Sequence, residues 1–504
     1  MLLKLGSRSS ALAKIQTHLV AKSLNQKFPD LQIQFHFKES KGDKDLHSPL
    51  WKLSGQGIFT KDLQDDLLNN KIDGIVHSWK DLDLSERKGT RVISVLPRED
   101  QRDVIFLKKS IDGIFPSKIK ILTSSPRREY NIKPFIRSFF PISLSNLPIE
   151  FESVRGNIQT RFKKFMESDS NCLLVAKAAI DRILTDHTFA NEIDELIEIQ
   201  NYLRSKINEC LFMILPLSQN PCAPAQGALC VETRENDQES ILYFESLMDL
   251  EAEETAKKER NILQKFGGGC HQKIGVSAIA REFGEIIYLR GETDSGKVLN
   301  EITYSNKLPI QFSEEEVWPY LGIKPKKDRI QLSVAIPNNT DLYISKSFSL
   351  PATELPHLKN RILWCSGVST WKELAKRDIW VHGSSDGLGE VEKIQISCLT
   401  GRENSFLKLT HDTNQNQVLP TLKTYVVSPP DIPYEMNPKQ IKAAFWNSGS
   451  EFLYLMEKFP EWKYIIHFCG PGSTYLKIKQ YLGEKGKINI CPSFQYWKDY
   501  YIKN

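Results

Sequence analysis

The feature that most limits how this chain can fold is a repeated junction, in which a short apolar run ends in a polar turn and passes straight into a helical pattern. Ile119 to Thr123 runs into Ser124-Ser125-Pro126-Arg127-Arg128, where a capping serine and a proline at the first helical position mark a helix start. Ile149 to Val154 leads likewise through Arg155-Gly156-Asn157 into a helix with Ile158, Phe162, Phe165 and Met166 on one face, and Arg161 near its start. Gly74-Ile75-Val76 delivers His77-Ser78-Trp79-Lys80-Asp81, and Cys172 to Ala176 precedes a helix that carries Arg182. The chain opens the same way, with Leu2 to Gly6, a capping Ser9 or Ser10, and the stripe Leu12, Ile15, Leu19 and Leu24. Leu31, Ile33, Phe35 and Phe37 then alternate with polar residues, as a strand with one buried face does. Strands alternating with helices predict an α/β fold. At 504 residues the chain exceeds what one core can serve and divides into roughly three or four domains.

In open α/β sheets ligands sit beyond the carboxyl ends of the strands, which is where these junctions put Asp81 and the arginines. Arg127 and Arg128, in a first helical turn, oppose the helix dipole; an anion at the same place would relieve that, and a solvated surface pair is the competing reading. With Arg8, Arg155, Arg161 and Arg182 at similar positions, the pattern describes a pocket for a polyanion bearing separate carboxylates or phosphates. Neither a G-x-x-x-x-G-K-[ST] nor a G-x-G-x-x-G loop is present to suggest a nucleotide. Further on, Phe266-Gly267-Gly268-Gly269-Cys270-His271 carries a thiol on backbone with almost no side-chain cover. That makes Cys270 a candidate for covalent attachment, with an ordinary buried thiol as the alternative.

The 67 basic and 62 acidic residues nearly balance, so the net charge of +5 makes no case for nucleic acid or a membrane surface as partner. Nine cysteines with no C-x-x-C pair suit neither a disulfide framework nor a structural zinc site, so no metal is expected. With no run of about 18 apolar residues and no signal-like start, a cytoplasmic protein is expected.

The junctions recur in a recognisable order: Gly6-Ser7-Arg8-Ser9-Ser10, Gly55-Gln56-Gly57-Ile58-Phe59, Val76-His77-Ser78-Trp79-Lys80-Asp81, Arg98-Glu99-Asp100, Thr123 to Arg128, Arg155-Gly156-Asn157, Ala223-Pro224-Ala225-Gln226-Gly227-Ala228 and Gly267-Gly268-Gly269-Cys270. In these the chain resembles porphobilinogen deaminase (hydroxymethylbilane synthase) over about residues 1–325. The resemblance implies two α/β lobes like those of periplasmic binding proteins, 1–98 with a return near 210–232 and 99–209, followed by a small α/β domain at 233–325. It implies a dipyrromethane cofactor on Cys270 through a thioether, and a monomer that joins four porphobilinogen units with loss of ammonia and releases hydroxymethylbilane. Carried over residue by residue, Asp81 becomes the catalytic carboxylate. Ser124, Ser125, Arg127, Arg128, Lys80 and Asp81 become cofactor contacts, and Arg8, Ser10, Lys52, Arg155, Arg161 and Arg182 substrate contacts. The chain departs from the family at Gln56, where lysine is common, at Pro126, Ala225 and Gly267, and in a longer segment between Arg128 and Arg155.

Beyond a charged linker at Lys324-Pro325-Lys326-Lys327-Asp328, residues 330–504 read as α/β again. A strand from Arg361 to Ser366, a helix from Thr370 to Lys376 and a strand at Ile379-Trp380-Val381 end in His382-Gly383-Ser384-Ser385. A similar unit runs from Ala444 through Ser448 and a helix to strand Tyr464–Phe468, then Cys469-Gly470-Pro471-Gly472-Ser473-Thr474. This part resembles the two-lobed uroporphyrinogen-III synthase family, with the lobes joined near Lys423 to Val427. That resemblance implies closure of hydroxymethylbilane with inversion of the D ring to uroporphyrinogen III, in a fused bifunctional enzyme, with Ser384, Ser448, Ser473 and Thr474 as candidate contacts. The alternatives are a monofunctional deaminase with a non-catalytic interaction module and, more remotely, a polycarboxylate-binding protein without turnover.

Overall fold

A computed structural model of the chain describes all residues except 1, 40–60, 85–86, 110–116, 268–271, 305–306, 320–327, 359, 391–393, 412–417, 430–431, 433–435, 484–485 and 504. Lys52, the Gly55 to Phe59 motif and Cys270 therefore lie outside the described residues.

The first half holds two five-stranded sheets. β1 (Leu2–Arg8), β2 (Gln32–Lys38), β3 (Gly74–Ser78) and β4 (Thr90–Val95) build one lobe, and β5 (Asp103–Lys108), β6 (Ile119–Leu122), β7 (Ile149–Glu152), β8 (Cys172–Ala176) and β9 (Cys210–Ile214) the other, before β10 (Leu229–Arg234) returns to the first. The orders are β2-β1-β3-β10-β4 and β7-β6-β8-β5-β9. In each sheet one strand, β10 or β5, runs antiparallel to both its neighbours. Each of these strands enters straight from the opposite lobe. The lobes are thus joined by two crossovers, 96–102 and 215–228, and share one topology. The return segment expected near 210–232 begins only at β10, because residues 210–214 pair with β5 inside the second sheet.

Local chemistry places the helices as the sequence suggests. Ser10 Oγ accepts the Ala13 N–H at 3.4 Å, Ser125 Oγ that of Arg128 at 3.4 Å, and Asn157 Oδ1 that of Thr160 at 2.9 Å. β2 lies at a sheet edge, so its apolar face is half-buried and His36 pairs with Asp66 at 3.1 Å. A third unit packs the helix Leu250–Gln264 against an antiparallel meander of β11 (Gly275–Arg281), β12 (Gly284–Glu292) and β13 (Val298–Tyr304).

The remaining strands are β14 (Val317–Trp318), β15 (Arg329–Gln331), β16 (Asp341–Ile344), β17 (Leu363–Cys365), β18 (Gly383–Ser384), β19 (Phe406–Thr410), β20 (Thr421–Lys423), β21 (Tyr425–Val427), β22 (Ala443–Trp446), β23 (Ile466–Cys469) and β24 (Ile488–Ile490). They form two all-parallel sheets, β18-β17-β16-β19-β20 and β14-β22-β23-β24, linked by the antiparallel pair β15 and β21. Two expectations shift. β14 pairs with β22, so the chain enters this module before residue 325 rather than at 330. The strand expected at Ile379 to Val381 is replaced by β18 two residues later. Its residues instead pack on the second lobe, where Trp380 Nε1 donates to the Phe212 carbonyl at 3.0 Å and the His382 carbonyl accepts the Ile214 N–H at 2.8 Å.

That packing is extensive: Trp371 Nε1 reaches the Phe139 carbonyl at 3.1 Å, and residues of β16 and β17 share hydrophobic cores with the second lobe. The module also grips both crossovers. Arg102 lies over the Trp364 ring and donates to the Ser384 carbonyl at 3.4 Å, while Ser218 donates to Asp386 through its N–H at 2.7 Å and its hydroxyl at 2.5 Å.

Burial pushes the Asp386 carboxyl up to about 6, against the pull of the Ser218 bonds and of Arg102 and Arg290. Because this lies above the ordinary 3.8, the group's contribution to stability is present below that value and is lost as pH rises through about 6. Asp386→Asn keeps an acceptor for Ser218 but cannot ionise, and is expected to remove this decline. Thermal midpoints of both chains between pH 4 and 7 test it, and parallel curves would refute the assignment.

Candidate active site

The site forms where the carboxyl ends of the strands of the two lobes face each other. On the first lobe, β1 ends at Arg8, Ser10 caps the next helix, and β3 extends two residues beyond Val76 to carry His77 and Ser78. A single 3-10 turn, Trp79–Asp81, follows. Arg8, Ser10, Gln16, His77, Ser78 and Asp81 line one cleft, and Asp81 is exposed to it.

Three supports hold the Asp81 turn, none of them suggested by the sequence. Trp79 is buried, with its N–H bonded to the Ala228 carbonyl at 3.0 Å. Arg260, from the third unit, donates to the carbonyls of Trp79 at 3.1 Å, Leu82 at 2.8 Å and Asp83 at 2.5 Å. Beneath β3, His77 Nε2 meets the buried Glu232 carboxylate at 3.1 Å, which also accepts from Arg87 and Thr90. Asp81 is therefore presented on a turn fixed from two units, as a reacting carboxylate requires.

Beside it, Lys80 donates to Gln226 Oε1 at 3.3 Å. Burial pushes its amine below the ordinary value; Asp81 opposes that shift, and Arg128 adds to it.

The second lobe answers with arginines. Burial pushes Arg161 down to about 10, reinforced by Arg128 and Arg155 and opposed by Asp81, so these groups share one field across the cleft. Arg161 Nε donates to the Gly156 carbonyl at 2.8 Å. Ser124 bonds the Val154 backbone and Ser125 caps its helix, so both hydroxyls already hold the junction together.

Arg127 and Arg128 differ from the sequence expectation. They are neither a solvated pair nor wholly given over to an outside anion, because the protein supplies one: Asp103, at the start of β5 and fully buried, accepts from both at 2.8 Å. Asn220 and Gln226 donate to the same carboxylate at 2.8 and 2.9 Å. Burial would raise the Asp103 carboxyl, yet Arg128 and Arg127 hold it well below the usual carboxylate range. Arg182 is likewise buried, donating to the Gly227 carbonyl at 2.6 Å on the second crossover. It thereby ties its helix to that crossover.

Sequence reasoning also passed over Glu259. Fully buried, it takes a bidentate pair from Arg98 at 2.9 and 2.7 Å and the N–H groups of Ala225 and Ala278 at 2.7 and 2.8 Å. One carboxylate thereby ties both crossovers to the third unit. Ala225, where glycine is common, holds φ at +64°, and a side chain on Gly227 would come within 2.3 Å of the Glu99 carbonyl.

The Nε atoms of Arg127, Arg128 and Arg182 are buried without a hydrogen-bond acceptor among the described residues. The incomplete shells of Arg127 and Arg128, which share a field with Lys80, fit a bound group that carries several carboxylates. On the described residues to either side of position 270, Gln272 Nε2 donates to the Phe266 carbonyl at 2.7 Å and the Lys273 ammonium stands over Tyr130 of the second lobe. Among the described residues no cluster of His, Cys, Asp or Glu could hold a metal ion, and no helix is long and apolar enough to cross a membrane.

The candidate residues of the last module fall into two groups. Ser384 is buried at the end of β18 and accepts the Asp386 N–H at 3.3 Å. Ser448 caps the helix Gly449–Lys458, and Ser473 and Thr474 begin the helix Ser473–Leu482. Gly387 and Gly389 abut Gly472, which brings the ends of the two sheets together.

Comparison with known proteins places the site in context. The family model for porphobilinogen deaminase, dipyrromethane cofactor binding domain, matches residues 3–241. The chain is 34% identical over 316 residues to the porphobilinogen deaminase of Chlorobaculum parvum, covering 60% of this chain and 88% of that protein. It is 31% identical over 304 residues to that of Clostridium novyi, covering 60% and 92%. The OxyR2 regulatory domain of Vibrio vulnificus overlays 49% of the chain and 94% of its own at 14% identity and a TM-score of 0.26, a likeness too slight to bear on the fold.

Proposed function

The chain belongs to the porphobilinogen deaminase family, and from that premise we propose that it joins four porphobilinogen molecules head to tail to give hydroxymethylbilane, which its C-terminal module closes to uroporphyrinogen III. The observation that carries the first half is Asp81, exposed on a braced turn and facing the arginines of the opposite lobe. Loss of ammonia from the aminomethyl group of porphobilinogen leaves a cation spread over the pyrrole. A carboxylate beside the ring nitrogen stabilises that charge and takes up or returns the proton. The bound dipyrromethane supplies the primer pyrrole to which the first unit is joined, and Cys270 is the residue we assign to hold it. Each unit brings an acetate and a propionate, for which Arg8, Arg128, Arg155 and Arg161, with Ser10 and Lys80, are the matching donors. Lys52 is assigned by family resemblance alone. Arg182 and Arg127 act mainly by holding the crossovers and Asp103 in place.

For the second half, the support is architectural. Two parallel sheets are joined by an antiparallel pair, and Gly387 and Gly389 abut Gly472, Gly367 abuts Gly387 and Gly449 abuts Lys477. Their carboxyl edges and the starts of the helices Val368–Lys376, Gly449–Lys458 and Ser473–Leu482 therefore lie close together, an arrangement suited to a cleft between the lobes. Such a cleft can hold a flexible linear tetrapyrrole folded so that its ends meet, which is an orientational more than an acid–base task. The close packing of this module on the second lobe also suits a purely structural part, so one experiment separates the readings. Incubation with porphobilinogen alone, followed by oxidation and separation of the uroporphyrin isomers, is expected to give mostly isomer III. Isomer I alone would leave the deaminase and remove the cyclisation.

A further inference from the structure

A short turn of the C-terminal module is built into the joint between the two deaminase lobes. It leaves β18 and is held from within the module. The Ser385 N–H donates to the Cys365 carbonyl at 2.9 Å, the Gly387 N–H to the Ser366 carbonyl at 2.8 Å and the Leu388 N–H to the Ser385 carbonyl at 2.8 Å. At its tip Asp386 takes a φ of +51° and Gly387 one of +78°, left-handed backbone that Asp, Asn and Gly adopt most readily. The turn is therefore a fixed projection that carries one carboxylate.

That carboxylate accepts both donors of Ser218, on the second crossover. Ser218 belongs to a tight turn in which the Gln219 and Asn220 N–H groups donate to the Pro216 carbonyl at 3.1 and 2.9 Å. On the same stretch Asn220 holds Asp103 at 2.8 Å, and the Pro221 carbonyl accepts from Arg127 at 2.6 Å. On the first crossover, Arg102 donates to the Ser384 carbonyl and is itself clamped by Asp100, with Nε at 2.9 Å and Nη2 at 2.7 Å. Arg102 directly precedes Asp103. The module thus grips each crossover within two residues of a group that orients Arg127 and Arg128. Leu388 completes the contact, buried in one core with Leu217 and Cys222 of the second crossover and Tyr288 of the third unit. Because one carboxylate, Asp103, receives both guanidiniums, a shift of either crossover turns them together. Misplacing a binding group by about 1 Å can cost up to roughly a hundredfold.

We propose that the turn Ser384 to Asp386 is a positioning element of the deaminase cleft, in which Asp386 fixes the second crossover through Ser218 and so sets how Arg128 meets the carboxylates of porphobilinogen. The C-terminal module then serves the first reaction, whatever it does with the product. The proposal rests on the deaminase reading for the reaction it serves, while the hold on the crossover stands on the contacts alone.

The test uses the full-length, cofactor-loaded chain. Asp386→Gly keeps the left-handed turn and removes the carboxylate, and Asp386→Asn restores an acceptor for the Ser218 N–H. Ser218→Ala removes the hydroxyl from the other side and keeps the test open should the glycine variant fail to fold. Porphobilinogen turnover gives KM and kcat, and hydrogen–deuterium exchange over residues 215–228 reports on the crossover itself. For Asp386→Gly the expected result is a KM raised about tenfold with kcat within about twofold, because poorer seating of the substrate carboxylates acts on binding. Ser218→Ala should shift KM the same way by less, Asp386→Asn should return it close to the native value, and exchange over 215–228 should follow the same order. A purely structural part would lower the thermal midpoint and the active fraction, and hence kcat, at a native KM; that pattern would overturn the proposal. Should the native chain consume no porphobilinogen, the deaminase reading falls. Exchange then decides the rest: faster exchange in Asp386→Gly that asparagine reverses keeps the hold on the crossover, and unchanged exchange removes it.

Discussion

Asparagine at position 81 is expected to slow porphobilinogen consumption by roughly a hundredfold to ten-thousandfold, the range over which positioned acid–base and electrostatic groups act. Asp81 is the one carboxylate among the described residues lining its cleft, and it shares a field with Lys80 and Arg161. The substitution keeps size and hydrogen-bonding shape but removes the negative charge that would face the cationic pyrrole. Because the side chain is exposed and its turn is held through backbone carbonyls by Arg260, the fold should be untouched. Steady-state turnover of the cofactor-loaded variant, alongside its thermal midpoint, is the measurement. A variant that works within about threefold of the native chain would remove Asp81 from the chemistry.

Replacing Asp103 by alanine should cost about 3–5 kcal/mol of stability, the penalty for leaving buried charge without its partner. Its carboxylate is fully buried and receives Arg127, Arg128, Asn220 and Gln226. Its removal strands two guanidiniums next to the cleft and frees the second crossover, from which Asn220 and Gln226 come. Denaturant midpoints should fall sharply, and activity should fall with them as Arg128 loses its orientation. Since Asp103 is held below the usual range, the sign with pH is definite: its contribution is present above the unfolded value near 3.8 and is lost only as pH falls through the lower folded value. An alanine variant with a native midpoint would show that the two arginines find other partners.

Both predictions turn on the difference between a residue that faces the cleft and one that builds it, and that difference was only partly readable in advance. The strand ends, the caps Ser10, Ser125 and Asn157, and the position of Asp81 at the end of β3 follow from short-range rules, in which the side chain acts on backbone three residues away. The dipole argument at Arg127 and Arg128 asked for an anion from outside the protein, and the structure supplies an internal carboxylate. It could not say that the anion would be Asp103, about two dozen residues earlier, because nothing local marks an aspartate as the partner of a distant helix. Glu259 and Arg260 escaped notice for the same reason: in sequence they are ordinary charges on an amphipathic helix, and their partners lie on the crossovers and on the Asp81 turn.

The C-terminal module repeats the lesson at larger scale. Its alternation of strand, Ser/Gly turn and helix was legible, but Ile379, Trp380 and Val381 read as a strand when their burial comes from the surface of the second lobe. Apolar periodicity reports that a segment is buried, without reporting against what. The amino-acid sequence by itself thus determined the α/β class, the junctions and the identity of the cleft-facing carboxylate, all consequences of interactions within a few residues. Tertiary structure alone decided which arginines are engaged by buried carboxylates, how the crossovers are tied together, and that Asp386 of the C-terminal module meets Ser218 on the second crossover. These depend on charges brought together from far apart in the chain, where desolvation and pairing set the energies.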